Sequence, residues 1–372
     1  MKAFKFNYME WAGAFGDLGT LIPFITAYIV LVHFNPVSLF IVLGFMLIWT
    51  GVFFRAPIPV QPMKAIGILA ASQTDSISQH VVLAAGFISG LLWIVLALSG
   101  LIKWLAARIN VDVVSGIVLG VGLTFLDKGL AWIGTSLVIG LSLLVLTYLC
   151  LVKSRFPVMF GLLLIGFIWM GWATPGYYEL SGILHPAFHF PRLTLAFLSW
   201  PILWQGFFFL ALPQFPLTIG NSCLALANEH NRIFPGRTIS VQKIAWSLAG
   251  MNLLSPFWGG IPVCHGVGGL AGQVRFGARS GGAPVILGVI FLILGFFFSR
   301  VMGQLILDFP KPVLGVILFV AGGELIFPIL LALKNKTKGS LALLLLTAII
   351  SFWNVGIALV VGLLLDVFLR WV

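Results

Sequence analysis

The sequence predicts an all-α polytopic membrane protein of about 14 segments, arranged as a seven-plus-seven inverted repeat in which segments 3 and 10 are short, broken helices. Three observations carry this reading: the scarcity of charge, the one-sided distribution of lysine and arginine, and an Ile-Pro-Val opening that recurs in both halves. Of 372 residues, 60% are apolar and 8% are charged, whereas a soluble domain carries roughly 25% charged residues to face water. A spanning helix takes about 20 apolar residues, so a chain of this length with short loops has room for about 12 to 14 crossings.

The apolar runs are 11–33, 36–54, 62–73, 80–101, 112–125, 131–152, 157–173, 200–227, 240–258, 263–273, 282–304, 311–332, 339–352 and 354–370. The longest polar stretch, about Thr174–Ser199, is half apolar itself and too short for a soluble domain. Met1–Gly13 faintly resembles a signal peptide, but Glu10 and Asp17 interrupt it and the apolar run continues to Val32, so it reads as the first span. Cys150, Cys223 and Cys264 stand apart, with no metal-ligand spacing, so neither a disulfide framework nor a metal site is expected, and no cofactor.

With the N-terminus placed in the cytoplasm and 14 crossings, sixteen of the lysines and arginines fall inside and four (Lys128, Arg192, Arg300 and Lys311) outside. Lys64 lies within a short segment. This follows the positive-inside rule and puts both termini in the cytoplasm, in a plasma or inner membrane. It also accounts for the net charge of +11: the basic residues meet membrane lipid, and nucleic acid is excluded as a partner.

Segments 3 and 10 are too short to span as helices. Ile58-Pro59-Val60-Gln61 opens one and Ile261-Pro262-Val263-Cys264 the other. Each is the third segment of its half, and an odd number of spans per half reverses the second half. The expected division is 1–190 and 191–372, with a core domain from segments 1–4 and 8–11 and a gate domain from segments 5–7 and 12–14. Broken helices of inverted-repeat transporters point their N-termini at a site near the midplane. A helix N-terminus presents unpaired N–H groups and about half a positive charge, which suits an anion. Gly266, Gly268 and Gly269 allow close approach to that backbone, Gln61 and Lys64 add an amide and a cation, and Pro62 is expected in the first helical turn, where its missing N–H costs nothing.

In segment 8, Gln214, Thr218, Asn221 and Ser222 share one helical face. No acid lies between Leu195 and Asn228, so this region is rich in donors and poor in acids, as an oxyanion requires. Structural readings stand beside these: Thr218 and Ser222 suit bonds between helices, Lys64 suits an ion pair with Asp17, His265 suits a satisfied buried histidine, the glycines suit close packing, and Arg275 and Arg279 are read as topology charges. Asp17 and Glu324 are intramembrane acids, which are functional by default.

Gly16-Asp17-Leu18-Gly19-Thr20, Pro59-Val60-Gln61-Pro62-Met63-Lys64, Leu212–Thr218 with Asn221-Ser222, and Cys264–Gly272 together resemble the signature stretches of the molybdate-transporter family, relatives of the sulfate permeases. The resemblance runs from about residue 11 to 282. It implies the fold of sulfate permeases and uracil permease, with transport of a tetrahedral oxyanion, molybdate first and sulfate second. The soluble C-terminal domain usual in sulfate permeases is expected to be lacking, and Gln214 stands near the place where nucleobase carriers hold an acid. The substrate-binding set it implies is Asp17, Thr20, Gln61, Pro62, Met63, Lys64, Gln214, Thr218, Asn221, Ser222, His265, Gly266, Gly268 and Gly269. Asp17, Glu324 and His265 are the candidates for proton coupling by symport, and a homodimer is a further expectation. An enzyme is not expected, because no catalytic cluster is present. An anion channel or a nucleobase carrier of the same fold is the alternative.

Overall fold

The computed structural model describes residues 4–72, 77–102, 104, 110–153, 161–162, 164–166, 168–169, 187–334, 336–353 and 355–371. Within them, segment 1 is α1 (Tyr8–Ala14), a 3-10 turn (Phe15–Asp17) and α2 (Leu18–Val30), bent by 48°. Then come α3 (Pro36–Phe54), β1 (Gln61–Pro62), α4 (Lys64–Ser72), α5 (Gln79–Ser99), α6 (Val111–Ile133) and α7 (Leu137–Lys153). The second half holds α8 (Trp200–Ile233), α9 (Val241–Leu254), β2 (Val263–Cys264), α10 (Val267–Arg275), α11 (Gly282–Phe297), α12 (Ser299–Leu307), α13 (Lys311–Leu333), α14 (Lys338–Trp353) and α15 (Val355–Trp371). Segment 7 falls largely outside the described residues. Among the described residues, five helices are long and apolar enough to cross a membrane alone, and two bent pairs raise this to seven. Outward residues of the apolar helices, such as Val95, Val138, Ile349 and Leu364, are exposed apolar side chains suited to lipid.

Local chemistry sets the helix ends. Asn35 accepts a bond from the Val37 N–H at 2.9 Å with Pro36 in the first turn of α3, and Asn110 caps α6 through the Asp112 N–H at 2.7 Å. Arg279 donates to the carbonyls of Val274 and Ala278, both at 2.7 Å. It therefore closes the chain just past α10, a role beyond that of a topology charge.

The helices pair in a pattern that maps onto itself when each segment is exchanged for the one seven further on. Helix α3 packs on α11, and its counterpart α9 packs on α5. Helix α6 packs on its own counterpart α13, and β1 on β2. Small residues let these backbones meet. A Cβ on Gly44 would press on the Gly288 carbonyl and one on Gly288 on the Gly44 carbonyl, with Gly129 and Gly315 related in the same way. This is the inverted repeat in packing.

β1 and β2 run antiparallel, Gln61 opposite Cys264 and Pro62 opposite Val263. Pro62, expected in a helical turn, is in the ribbon instead. A two-residue edge strand tolerates its missing N–H, and the next donor, Met63 N–H, reaches the Pro262 carbonyl at 3.0 Å.

Candidate functional site

The ribbon brings the starts of α4 and α10 together, and neighbouring helices hold it there. Asn252 on α9 grips Val263 twice, donating to its carbonyl at 2.7 Å and accepting from its N–H at 2.9 Å. In the other half, Thr50 on α3 donates to the Ile58 carbonyl at 3.3 Å. His265 is fully buried. Its Nδ1 lies 2.8 Å from the Pro59 carbonyl and its Nε2 3.0 Å from the Ser247 hydroxyl. A carbonyl only accepts, so Nδ1 carries the proton and Nε2 accepts from Ser247. Phe54 meets the ring edge-on at 5.4 Å. His265 thus braces the ribbon, with both nitrogens engaged.

The two helix starts differ. At α4, the Gln214 carbonyl oxygen accepts from the N–H groups of Ala65 at 2.8 Å and Ile66 at 3.4 Å. The amide nitrogen of Gln214 donates to Thr218 Oγ1 at 2.8 Å. Thr218 in turn donates to the backbone carbonyl of Gln214 at 3.1 Å. So Gln214 and Thr218, expected as ligands, form a neutral cap on α4. With Met63 N–H paired to Pro262, few donors of 61–65 remain for a ligand.

At α10, no side chain caps the first turn. Gly268 is exposed, and a Cβ there would meet nothing within 4 Å. Val267, Lys64, Gly220 and Asn221 are partly exposed, whereas Gln61, Met63, Gly266 and Gly269 are buried. A ligand can therefore approach α10 on the side of Gly268. Behind it, Gln61 Nε2 donates to Asp17 Oδ1 at 2.5 Å, with Asp17 buried in the 3-10 turn. A Cβ on Gly266 would overlap Gln61 Oε1, and one on Gly269 would press on Asp17 Oδ1 and Gln61 Nε2, each 2.5 Å away. These two glycines make room for the protein's own amide and carboxylate. Gln61 Oε1 itself is buried without a hydrogen-bond partner among the described residues. Ser222 is buried beside Cys264.

The structure thus gathers Asp17, Gln61, Gly266 and Gly269 around one point, with Gly268 on its open side, Lys64 at the start of α4 close enough to act electrostatically on Cys264, and Asn221 on the accessible face of α8. It turns His265 to bracing and Gln214 and Thr218 to capping. Met63 is buried and apolar. The side chains of Thr20 and Glu324 lie outside what is described. No cluster of metal-binding side chains occurs among the described residues. Asn252 and Ser247 escaped the sequence reading, although an asparagine within the apolar run 240–258 was the signal available.

A family model described as "Molybdate transporter of MFS superfamily" matches residues 9–125 and 206–325. "Molybdate transporter 2" of Arabidopsis thaliana is 30% identical over 365 residues, covering 85% of this chain and 77% of that one. "Molybdate transporter 1" of the same plant is 30% identical over 414 residues, covering 98% and 89%. Among solved structures, murine Solute Carrier 26 family member A9 in an inward-facing state aligns with a TM-score of 0.74 at 14% identity, over 100% of this chain and 69% of that one. The transmembrane domain of the cyanobacterial bicarbonate transporter BicA aligns with a TM-score of 0.67 at 16% identity, over 96% of each. These two show the fold alone. With the four sequence stretches gathered at one site and both matched blocks covering equivalent parts of the two halves, the chain belongs to the molybdate transporter family.

Proposed function

We propose that this multi-pass membrane protein carries molybdate, and less readily sulfate, across the bilayer by alternating access, receiving the anion at the first turn of α10. The observation that carries this reading is the uncapped α10 start, open at Gly268, beside the capped α4 start. One free helix end supplies N–H donors and partial positive charge. Lys64 adds full charge, and Asn221 and Gln61 add amide groups. Helices α1–α5 and α8–α12 would form the core that carries the site, and the rest the gate, with the N-terminus in the cytoplasm as the sixteen-to-four charge distribution favours.

Coupling follows from electrostatics. A dianion entering a cell at about 100 mV negative faces about 4.6 kcal/mol. A proton carried on Asp17 would offset part of this, and the carboxylate stands directly behind the anion site.

The test is binding by the purified protein of molybdate against tungstate, sulfate, phosphate and uracil, with Gly268→Ala alongside. We expect tight molybdate binding, competition by tungstate, weaker sulfate, and loss of binding in Gly268→Ala without loss of folding. Uracil competition would make the chain a nucleobase carrier, and flux that does not saturate would make it a channel. Unchanged binding by Gly268→Ala would place the anion elsewhere.

A further inference from the structure

Gln273 is fully buried in α10, and neither its amide oxygen nor its amide nitrogen has a hydrogen-bond partner among the described residues. An unpaired buried amide costs about 1–3 kcal/mol, and methionine would fill a similar volume without that cost. Its surroundings supply a reason for an amide. Helix α10 packs on the turn Phe15–Asp17, so closely that a Cβ on Gly16 would press on the Gly272 carbonyl and the Gln273 nitrogen. Gly269 stands one turn before Gln273 on the same face, and a Cβ there would touch Asp17 Oδ1 and Gln61 Nε2. Positions four apart on a helix lie about 5–6 Å from each other, and helical side chains lean toward the N-terminus. Gly269 carries no side chain to stand between them, so the way from the Gln273 amide toward the Asp17 carboxyl is not blocked at that position.

We propose that Gln273 is a positioning residue for Asp17, holding its carboxyl in the charged form. An amide suits this because its nitrogen donates to a carboxylate, which favours the charged form. In the structure Gln61 donates to Asp17. When the Gln61 amide turns to an arriving anion, Gln273 takes over. The proton taken up by Asp17 with the anion is released to water on the other side, with no other reactant. This inference rests on the proton-coupled reading above. The other ionisable groups on elements packed against α10 are Tyr8 and Glu10 on α1, and Cys223, Glu229, His230 and Arg232 on α8, with Arg275 on α10 itself; Lys64 and Asp17 both act electrostatically on Cys264 in the ribbon. Glu10 accepts from the Arg279 N–H at 2.9 Å, and Glu229 pairs with Arg232 at 2.6 Å on exposed surface.

The experiment is molybdate uptake into proteoliposomes as a function of pH for the wild type, Gln273→Met and Gly268→Ala, with thermal melting of each protein in detergent. The expectation for Gln273→Met is an unchanged or higher melting temperature, together with an upward shift of about one unit in the midpoint of the pH profile. That is the loss of one charge-assisted hydrogen bond of about 1.4 kcal/mol. A wild-type pH profile in Gln273→Met would overturn the inference, and so would a lowered melting temperature, which would mark an amide that stabilises the resting fold. Wild-type uptake independent of pH would sink the coupling reading and this inference with it. The anion site would survive that outcome as long as Gly268→Ala still abolished binding.

Discussion

At the scale of single residues, three glycines within four positions do different work. Gly266 and Gly269 face Gln61 and Asp17 with no room for a methyl group, while Gly268 faces open space. Gly266→Ala and Gly269→Ala should each cost about 1–3 kcal/mol through overpacking, read as a lower melting temperature in detergent. Gly268→Ala should leave melting within about 0.5 kcal/mol of the wild type and yet remove molybdate binding. The sequence reading brought the three glycines out as a group but could not sort them. Their roles depend on Gln61 and Asp17, which lie more than two hundred residues away in the chain and whose side chains only the fold brings near. His265 shows the same limit. Its chemistry was visible, but the Pro59 carbonyl and Ser247 hydroxyl that occupy it were not.

At the scale of elements, α8 departs from regular α-helix in two π-helical stretches, Gly206–Ala211 and Thr218–Ala225, on either side of Pro213 and Pro216. Proline withdraws an N–H and crowds the preceding turn, and widened turns of this kind gather at functional sites. Between them sits Gln214, whose side-chain amide oxygen satisfies the start of α4. Gln214→Leu should strand the Ala65 N–H in a buried setting at a cost of about 1–3 kcal/mol. Faster hydrogen exchange at Ala65 and Ile66 would report it, and unchanged exchange would show that the cap is dispensable. The shortness of segments 3 and 10 was legible because a spanning helix has a minimum length. The division of labour between their helix starts was not, because a glutamine on α8 decides it. The π-helical turns also shifted the face expected from regular spacing: Ser222 is buried where Asn221 is partly exposed.

At the scale of the whole molecule, the inverted repeat was readable from one recurring Ile-Pro-Val opening and the parity of the spans, and the reciprocal pairing of α3 with α11 and α9 with α5 gives it form. The proposed division into core and gate predicts relative motion. Gly220 on α8 faces Val114 on α6, with a Cβ on Gly220 3.2 Å from Val114 Cγ1. Disulfide geometry is within reach at such a spacing. A Gly220→Cys/Val114→Cys variant should lose transport on oxidation and regain it on reduction, as measured by uptake into proteoliposomes. Full transport by the oxidised, cross-linked protein would show that these two faces do not separate during the cycle.

The ribbon has a consequence for biosynthesis. Its strands, Gln61–Pro62 and Val263–Cys264, come from opposite halves, and extended backbone at membrane depth is tolerated only where protein satisfies it. Gln61 leaves the ribosome 203 residues ahead of Cys264, a wait of roughly 10–40 s at common elongation rates. For that interval the first half sits in or beside the translocon with its central strand unmatched, so the nascent protein depends on shelter until the second half arrives to close it.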